Sequence, residues 1–454
     1  MSVLFLLAFV VTLLLMLSLA FLPAFRSKNA KDFSLAGRDA GSWRVAGAIT
    51  GTLVGGASTV GTAQMAYLFG LSGWWFTLGA GLACLLLAVG FARQLHREDI
   101  VTVSELFGRH FGRKAQLAAA LFSAVGMFVH IVAQLLAGSA VLTSLFGVSL
   151  LSGVCITTVL VLLITLRQGM AGAGVLGLAK LFILYVSMVV AGFLAFSLLG
   201  GWAGMQAAFP ERSWFSLFGY GVGPGVSDLL SMLIGVVSTQ TYLQALFTAK
   251  SAAVARKGAF LSFLLIPPVG LFGVSVGLFM RHTYPVMDSA LALPEFFRLH
   301  CPPLLAGVAF AAILIAAVGT ASGLTLGVAT TLHADVFKRV SFCVQRPLAT
   351  LRMISAVVLL LALSILLLNF GAALMRWSFL SMGLRGATVF LPLIVVLFWR
   401  ERMDMRYGAL AITCAPLAVL ATALLPLGGD PLFVGMLVST VLLLTGFFHN
   451  KKGT

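Results

Sequence analysis

Long apolar runs recur along the whole chain and limit what it can fold into more than any other feature. The 454 residues are 60% hydrophobic and 9% charged, with a mean hydropathy of +1.09. A run of about 18 or more apolar residues crosses the hydrocarbon core of a bilayer as a helix. The pattern therefore excludes a water-soluble globule and predicts an all-α polytopic membrane protein. Thirteen spans are predicted, near residues 2–23, 44–68, 72–93, 115–143, 148–166, 172–200, 226–248, 258–281, 304–332, 350–370, 377–399, 407–426 and 430–448.

The net charge of +16 reflects membrane topology and does not indicate a nucleic-acid surface. Of the 29 Lys and Arg residues, 23 fall in alternate predicted loops and at the C-terminus, whereas Arg212, Arg281 and Arg298 lie in the intervening loops. By the positive-inside rule, this distribution predicts an N-terminus outside the cell and a C-terminus in the cytoplasm. We expect a multi-pass protein of the cell (inner) membrane, in contact with the lipid bilayer and with no nucleic-acid partner.

Several classes of site are absent from the sequence. The five cysteines include no Cys-x-x-Cys spacing, so neither a disulfide framework nor a cysteine metal site is indicated. No glycine-rich phosphate loop is present, which argues against ATP-driven transport. No pairing of nucleophile and base recurs within the predicted spans, so we do not expect an enzyme, and no cofactor is predicted beyond a coupling ion.

Two predicted spans, Gly41–Leu68 and Ala306–Leu332, carry small and hydroxyl residues in their middles, at 50–61 and 316–323. Glycine costs a helix about 1 kcal/mol relative to alanine, and unwound backbone at bilayer depth persists only where protein or a cavity covers it. Paired interrupted helices with free carbonyls and hydroxyls would form a cation and solute site. Small residues also allow helices to pack closely. The pattern alone leaves both interpretations open.

Motifs in four stretches occur in a fixed order across about 370 residues. They are Asp32–Arg38 with Tyr67–Gly70, Ala133–Gly138, Gln240–Gln244 with Thr248–Ser251 and Ala255–Gly258, and Ala316–Thr320 with Asp335–Lys338, Phe390–Pro392 and Leu397–Arg400. Together these stretches resemble the sodium:solute symporter family.

The resemblance implies the LeuT-type fold, in which two inverted repeats of five helices form the core. The count of thirteen spans and the N-out, C-in orientation agree with it. The expected division is a leading helix and basic loop, the first repeat, an outer loop, the second repeat, and two trailing helices with a tail. These units correspond to residues 1–40, 41–200, 201–225, 226–400 and 401–454.

The resemblance also implies a sodium site between the first and eighth core helices. The family's carbonyl ligands fall at Gly51, Val54 and Ala316, and its two adjacent hydroxyl ligands fall at Gly319 and Thr320. Only Thr320 keeps its hydroxyl. Water or the neighbouring Ser322 could replace the missing oxygen, so the resemblance does not decide whether sodium binds.

The fifth core helix departs from the family pattern. Family members often carry Thr-Asp-x-x-Gln, whereas this chain has Leu176–Lys180, with glycine in place of the carboxylate at Gly177. A lysine near a helix centre costs roughly 2.5–3.5 kcal/mol on insertion scales and marks a functional site more often than a snorkelling side chain. Lys180 could replace a sodium ion and carry a proton, because burial favours the neutral amine. It could instead pair with an anionic substrate.

Arg385 is a second unusual charge, inside the eleventh predicted span, and Asp228 is the only acidic residue near membrane depth. A substrate carboxylate would balance two buried cations, and it matches the guanidinium fork. Alternatively, Arg385 caps backbone carbonyls.

Residues predicted to bind substrate are Gly55, Ser58, Thr59, Gln134, Lys180, Gln240 and Arg385. Gln244, one turn after Gln240, is predicted to gate, and His130 to be a hydrogen-bonded core residue.

The sequence thus predicts a secondary symporter that imports a small organic solute by alternating access, driven by Na⁺ or H⁺. The cationic interior favours a carboxylate or an amino acid as the solute. The alternative is a sensor that kept the fold and acts with a separate signalling partner. The sequence does not predict an oligomeric state.

Overall fold

The computed structural model describes residues 2–21, 38–98, 100–337, 340–368, 374–399, 403–425 and 430–450. Within them, the side chains at 20, 21, 168–176, 374–376 and 450 are left undescribed. The α-helices of these ranges are α1 Val3–Phe21, α2 Ser42–Leu53, α3 Thr62–Phe69, α4 Trp75–Leu86, α5 Ala92–Arg97, α6 Val103–Phe111, α7 Arg113–Phe146, α8 Leu150–Leu198, α9 Gly201–Ala208, α10 Val222–Val237, α11 Gln240–Phe247, α12 Ala252–Thr283, α13 Ala292–His300, α14 Pro303–Thr331, α15 Ser341–Gln345, α16 Pro347–Leu367, α17 Leu374–Phe398, α18 Met405–Leu424 and α19 Pro431–Asn450.

The predicted all-α membrane architecture is confirmed, because long apolar helices dominate the described residues. Ten segments of the described residues are long and apolar enough to cross a membrane, or eleven if α10 and α11 count as one bent span; one of the ten, Ala57–Arg97, includes α3, α4 and α5. Helix α8 supplies two of them, Leu150–Arg167 and Gly177–Leu198. The number thirteen, the orientation and the repeat boundaries stay predictions.

The first interrupted segment is broken as the sequence predicts. Helix α2 ends at Leu53, and Val54 is extended, with φ −84° and ψ 92°. A π-helical turn, Ala57–Gly61, leads into α3. The chain reverses after α3 at Gly70, whose φ of +65° favours glycine. All residues from Ala57 to Gly61 are buried, so the break lies inside the protein.

The second of these segments is not broken, because α14 runs without interruption from Pro303 to Thr331. Its small residues serve close packing instead. A Cβ on Gly323, for example, would lie 2.8 Å from Oγ1 of Thr52. The second break lies between α10 and α11, which meet at 41° across Ser238 and Thr239.

Helix α14 occupies the centre of the helix bundle. Nearly all its residues from Ala306 onward are buried, and it packs against α1, α2, α7 and α8. Helix α17 packs against α7 and α10 on another side of the core. These contacts bring α14 to the first helix break and α17 to the second.

Candidate functional site

The first helix break satisfies most of its own freed backbone groups. The amide of Gly55 donates to Oγ of Ser58 at 2.8 Å, and the Oγ1 of Thr59 donates to the carbonyl of Gly55 at 2.8 Å. Ser58 also donates to the carbonyl of Gly55. Buried backbone groups need such partners, so both hydroxyls that were predicted to bind substrate hold the break in shape.

Gln134 connects the break to α7. Its Oε1 accepts the amide of Gly56 at 2.8 Å, and its Nε2 lies 2.9 Å from Nε2 of His130. A Cβ on Gly55 would lie 2.3 Å from Oγ1 of Thr320 and 2.8 Å from Oε1 of Gln134. Gly55 therefore allows α14 and α7 to approach the same point of the break.

The missing carboxylate at Gly177 has a steric reason. A Cβ on Gly177 would lie 2.4 Å from the carbonyl oxygen of Gly47, and one on Gly51 would lie 2.4 Å from the Cα of Gly177. The backbones of α2 and α8 thus approach so closely that only glycine fits. Lys180, one helical turn beyond Gly177, then reaches across to α14.

The ammonium of Lys180 lies among the atoms that the family resemblance assigns to sodium. Its Nζ donates to the carbonyl of Ala316 at 3.1 Å and to Oγ1 of Thr320 at 3.3 Å. Thr320 in turn makes a long contact of 3.5 Å with the carbonyl of Gly51. Lys180 is 1% exposed, so it does not snorkel to the lipid surface. We call Gly51, Lys180, Ala316 and Thr320 the Lys180 site.

The other residues predicted to bind the cation contribute less to this arrangement. A Cβ on Gly319 would lie 3.1 Å from the Nζ of Lys180, so the missing side chain makes room for the amine. Ser322 accepts a hydrogen bond from Thr165 at 2.9 Å and is not among the partners of the amine. Val54 donates its amide to the carbonyl of Thr50 at 2.7 Å. Their role in cation binding stays a prediction.

Arg385 lies at the second helix break. Its Nε donates to the carbonyl of Ser381 at 3.1 Å, and its two terminal nitrogens donate to Oγ1 of Thr239 and Oγ of Ser381, both at 2.8 Å. The sulfur of Met382 lies 3.1 Å away. The side chain is fully buried and crosses α7 at Gly126, where a Cβ would lie 2.4 Å from the Cγ of Arg385.

Several buried polar atoms near Arg385 have no hydrogen-bond partner in the described part of the chain. They are Nδ1 of His130, Oγ of Ser238 and the hydroxyl of Tyr242. Ser238 directly precedes Thr239, Tyr242 donates its amide to the carbonyl of Thr239 at 3.1 Å, and His130 lies one turn beyond Gly126 on α7. An unmade bond to a buried polar atom costs about 1–3 kcal/mol, so these groups are candidates for ligand contacts. Together with Arg385 they form what we call the Arg385 site.

Among the described residues, no carboxylate makes a salt bridge with Lys180 or Arg385. Asp228 instead accepts a hydrogen bond from the hydroxyl of Tyr220. Within the described residues, the partners of the two buried cations are hydroxyls, carbonyls and the sulfur of Met382, and none of these groups carries a negative charge. The sequence pointed to both cations but not to Tyr242, Ser238 or Thr239, because no break was predicted within the span 226–248.

Gln240 directly follows Thr239 of the second break, but its side chain bonds backbone groups at the start of α6 and makes no hydrogen bond with Arg385. Its Oε1 accepts the amide of Val103 at 3.0 Å, and its Nε2 donates to the carbonyl of Val101 at 2.9 Å. Asp335 ties the same region to α14 through Thr102 at 2.8 Å. Gln244 is fully buried one turn further along α11. Both glutamines thus suit the gating contact that the sequence predicted for Gln244, and the substrate role of Gln240 stays untested.

The family model of the sodium:solute symporter family matches residues 33–414. The chain belongs to the sodium:solute symporter family. This symporter is 22% identical over 412 residues to an uncharacterized symporter, YwcA, of Bacillus subtilis, spanning 85% of this chain and 79% of that protein. It is 23% identical to the osmoregulated proline transporter OpuE of the same organism, with 85% and 82% covered.

Solved structures show the same fold at lower identity. A structure described as the substrate-bound outward-open state of a Na⁺-coupled sialic acid symporter matches with a TM-score of 0.77 and 17% identity, over 99% of this chain and 98% of that one. The nucleobase-cation-symport-1 family transporter Mhp1 matches with a TM-score of 0.62 and 15% identity, over 96% of each chain. These matches confirm the LeuT-type fold. The family and its transporter relatives support a cation-coupled symporter in the membrane, and they give no support to the sensor alternative.

Proposed function

We propose that this symporter imports a small carboxylate by alternating access and is driven by protons, with Lys180 in place of the sodium ion. The single observation that carries the coupling is the position of the Lys180 ammonium, 3.1 Å from the carbonyl of Ala316 and 3.3 Å from Oγ1 of Thr320. A charged lysine and a free sodium ion cannot share these atoms. At 4 Å, two unit charges repel by about 4 kcal/mol even at an effective dielectric constant of 20.

A proton on Lys180 would then act as the coupling cation. When charged, the amine bridges α8 and α14 next to the first break, as a bound ion would. When it loses its proton it gives up the charge of that bridge, and the contact between the helices weakens. Binding of one proton would therefore stabilise the contact between α8 and α14 in one half of the transport cycle, and its release would weaken the same contact in the other half.

The carboxylate preference is supported by the Arg385 site. A guanidinium has five N–H donors, and Arg385 uses four, one of them on the weak acceptor sulfur of Met382. A substrate carboxylate would take the fifth donor and displace the sulfur, and its charge would balance a cation that has no acidic partner among the described residues. His130, Ser238 and Tyr242 supply further unpartnered polar atoms for the rest of the solute.

Uptake into proteoliposomes tests this proposal. The purified chain would be reconstituted and given radiolabelled small carboxylates and amino acids, under an inward proton gradient or an inward sodium gradient of equal size. We expect accumulation of a carboxylate under the proton gradient, abolished by a protonophore. Accumulation that follows sodium alone would refute the coupling through Lys180, and failure of either gradient to concentrate any solute would refute symport.

A further inference from the structure

A cavity lies at the opposite end of the bundle from the basic loops. It has a volume of about 580 Å³ and lies between α3, α10, α17, α18 and the start of α19. Among the side chains that the structure describes, the charged lining residues are Asp228 and Asp430, and none of the described lysine, arginine or histidine side chains lines the cavity. The described charges of this cavity are negative, whereas the whole chain has a net charge of +16. We call it the carboxylate cavity.

The acceptor atoms of the carboxylate cavity are only partly used. Asp228 accepts one bond, from the hydroxyl of Tyr220, and Asp430 accepts the amide of Leu432 at 2.9 Å with Oδ1. Neither carboxylate forms a salt bridge within the described residues. Each of them therefore keeps an oxygen for a cationic ligand.

Two serine hydroxyls supply an independent sign of a ligand. Ser227 is 5% exposed and Ser231 is 4% exposed, and both line the cavity. Neither side chain makes a hydrogen bond within the described part of the chain, although a helical serine can bond the carbonyl four residues before it. Two hydroxyls without hydrogen-bond partners among the described residues, on the helix face that carries Asp228, form an unfilled oxygen donor set.

The remaining walls indicate an organic cation and not a bare metal ion. Leu68, Phe69, Phe379 and Val419 line the cavity. The ring of Phe69 also lies 5.3 Å from that of Tyr220, which bonds Asp228. Aromatic faces attract a cation, and apolar walls suit its alkyl groups. An alkali-metal ion would lose hydration water next to these walls and gain no ligand from them.

We propose that the carboxylate cavity binds a small alkylammonium group, at a site separate from the Arg385 site. Nine residues of α10, roughly 14 Å of helix, separate Asp228 from Val237 at the second break. Phe379 contacts Phe76, which stacks on His130, so an aromatic pair lies between the cavity and the Arg385 site. The predicted orientation places the cavity on the outer side, where a ligand would reach it before the centre.

Thermal unfolding and binding titration of the detergent-purified full chain test this site with tetramethylammonium as the probe. Sodium chloride at equal concentration controls for ionic strength, and tert-butanol serves as a neutral molecule of similar size. We expect tetramethylammonium to raise the Tm and tert-butanol to leave it unchanged. Equal shifts with sodium chloride or with tert-butanol would overturn the proposal.

Asn variants identify the carboxylates. Asp228→Asn and Asp430→Asn keep an oxygen for Tyr220 and for the amide of Leu432, so the fold is preserved. We expect each to raise the Kd for tetramethylammonium at least tenfold, and Asp288→Asn, an exposed residue that does not line the cavity, to match the wild type. Unchanged binding in the double Asn variant would overturn the site.

A tethered ammonium supplies a second variant. Thr422 lines the cavity and bonds only the carbonyl of Ala418 in its own helix. In Thr422→Lys we expect the lysine to occupy the cavity and abolish tetramethylammonium binding, and retained binding would contradict the site. Radiolabelled tetramethylammonium uptake then distinguishes a transported ammonium solute from a ligand that only occupies the cavity. Because the binding assay imposes no gradient, its result is independent of proton coupling.

Discussion

Lys180 and Arg385 are both buried cations without an acidic partner in the described residues, yet the protein holds them differently. The ammonium of Lys180 has two acceptors and could take a third. The guanidinium of Arg385 has four partners, three of them on Thr239 and Ser381. A point charge with a flexible stem can gain or lose a proton and move, whereas a planar fork that stays charged is fixed in one orientation. The comparison predicts an ion-like role for Lys180 and a ligand-binding role for Arg385.

The largest expected effect is that of Lys180→Gln on coupling. We expect it to abolish accumulation under a proton gradient and to leave counterflow exchange of the solute near the wild-type rate, because exchange needs binding but no net proton movement. Proteoliposome uptake and exchange, with the exposed Lys250→Gln as the control, measure both. Loss of exchange together with accumulation would assign Lys180 to the substrate instead.

Arg385→Lys should have the converse effect. It keeps the charge but loses the fork, and hydrogen bonds to charged groups contribute about 1.5–3 kcal/mol, so we expect roughly a tenfold to hundredfold rise in the Kd for a carboxylate solute. The ratio of accumulation to exchange should stay that of the wild type. Equilibrium binding, with the exposed Arg212→Lys as the control, checks this. An unchanged Kd would leave Arg385 as a structural cap only.

Thr320→Ala sharpens the comparison with a smaller change. It removes one of the two acceptors of the Lys180 amine, a bond of about 1–2 kcal/mol, so the proton concentration for half-maximal uptake should rise severalfold to about tenfold. The Kd for the solute should change less. Thr325→Ala is the matched control, since Thr325 is buried in the same helix and bonds only the carbonyl of Ala321. Identical pH dependence in the two variants would count against the site.

The smallest expected effect is a partial return to sodium. Gly319→Ser restores the second hydroxyl of the family pattern, but its Cβ would lie 3.1 Å from the Nζ of Lys180. In the wild-type background we therefore expect it to lower uptake. In a Lys180→Gln background the amine is gone, and we expect a severalfold stimulation of solute binding by sodium. Lys180→Gln with Gly319→Ala lacks the hydroxyl and should show none. If sodium stimulated solute binding in both double variants, the hydroxyl introduced at position 319 would not be the cause of the sodium response.

Sequence reasoning found the membrane class and the two cations because each is a local signal. Apolar runs predict membrane helices whatever their neighbours are. A lysine inside a bilayer-length apolar segment, such as Lys180, is recognisable from the sequence alone. Sequence reasoning did not decide between interruption and close packing for the small residues of α14. Glycine and alanine permit both close packing and unwinding, and only the neighbouring helices decide which one occurs.

The amino-acid sequence by itself determined the all-α membrane class, the family and the presence of two uncompensated cations, since these depend on hydropathy, motif order and charge. The tertiary structure alone decided which atoms the cations meet. Backbone contact at Gly51 and Gly177 brings Lys180 to Ala316 and Thr320, and the bend between α10 and α11 brings Thr239 to Arg385. It also placed Asp228 and Asp430 in one cavity although 202 positions separate them in the sequence. Such contacts depend on how helices far apart in the chain pack together, and no local sequence pattern predicts that packing.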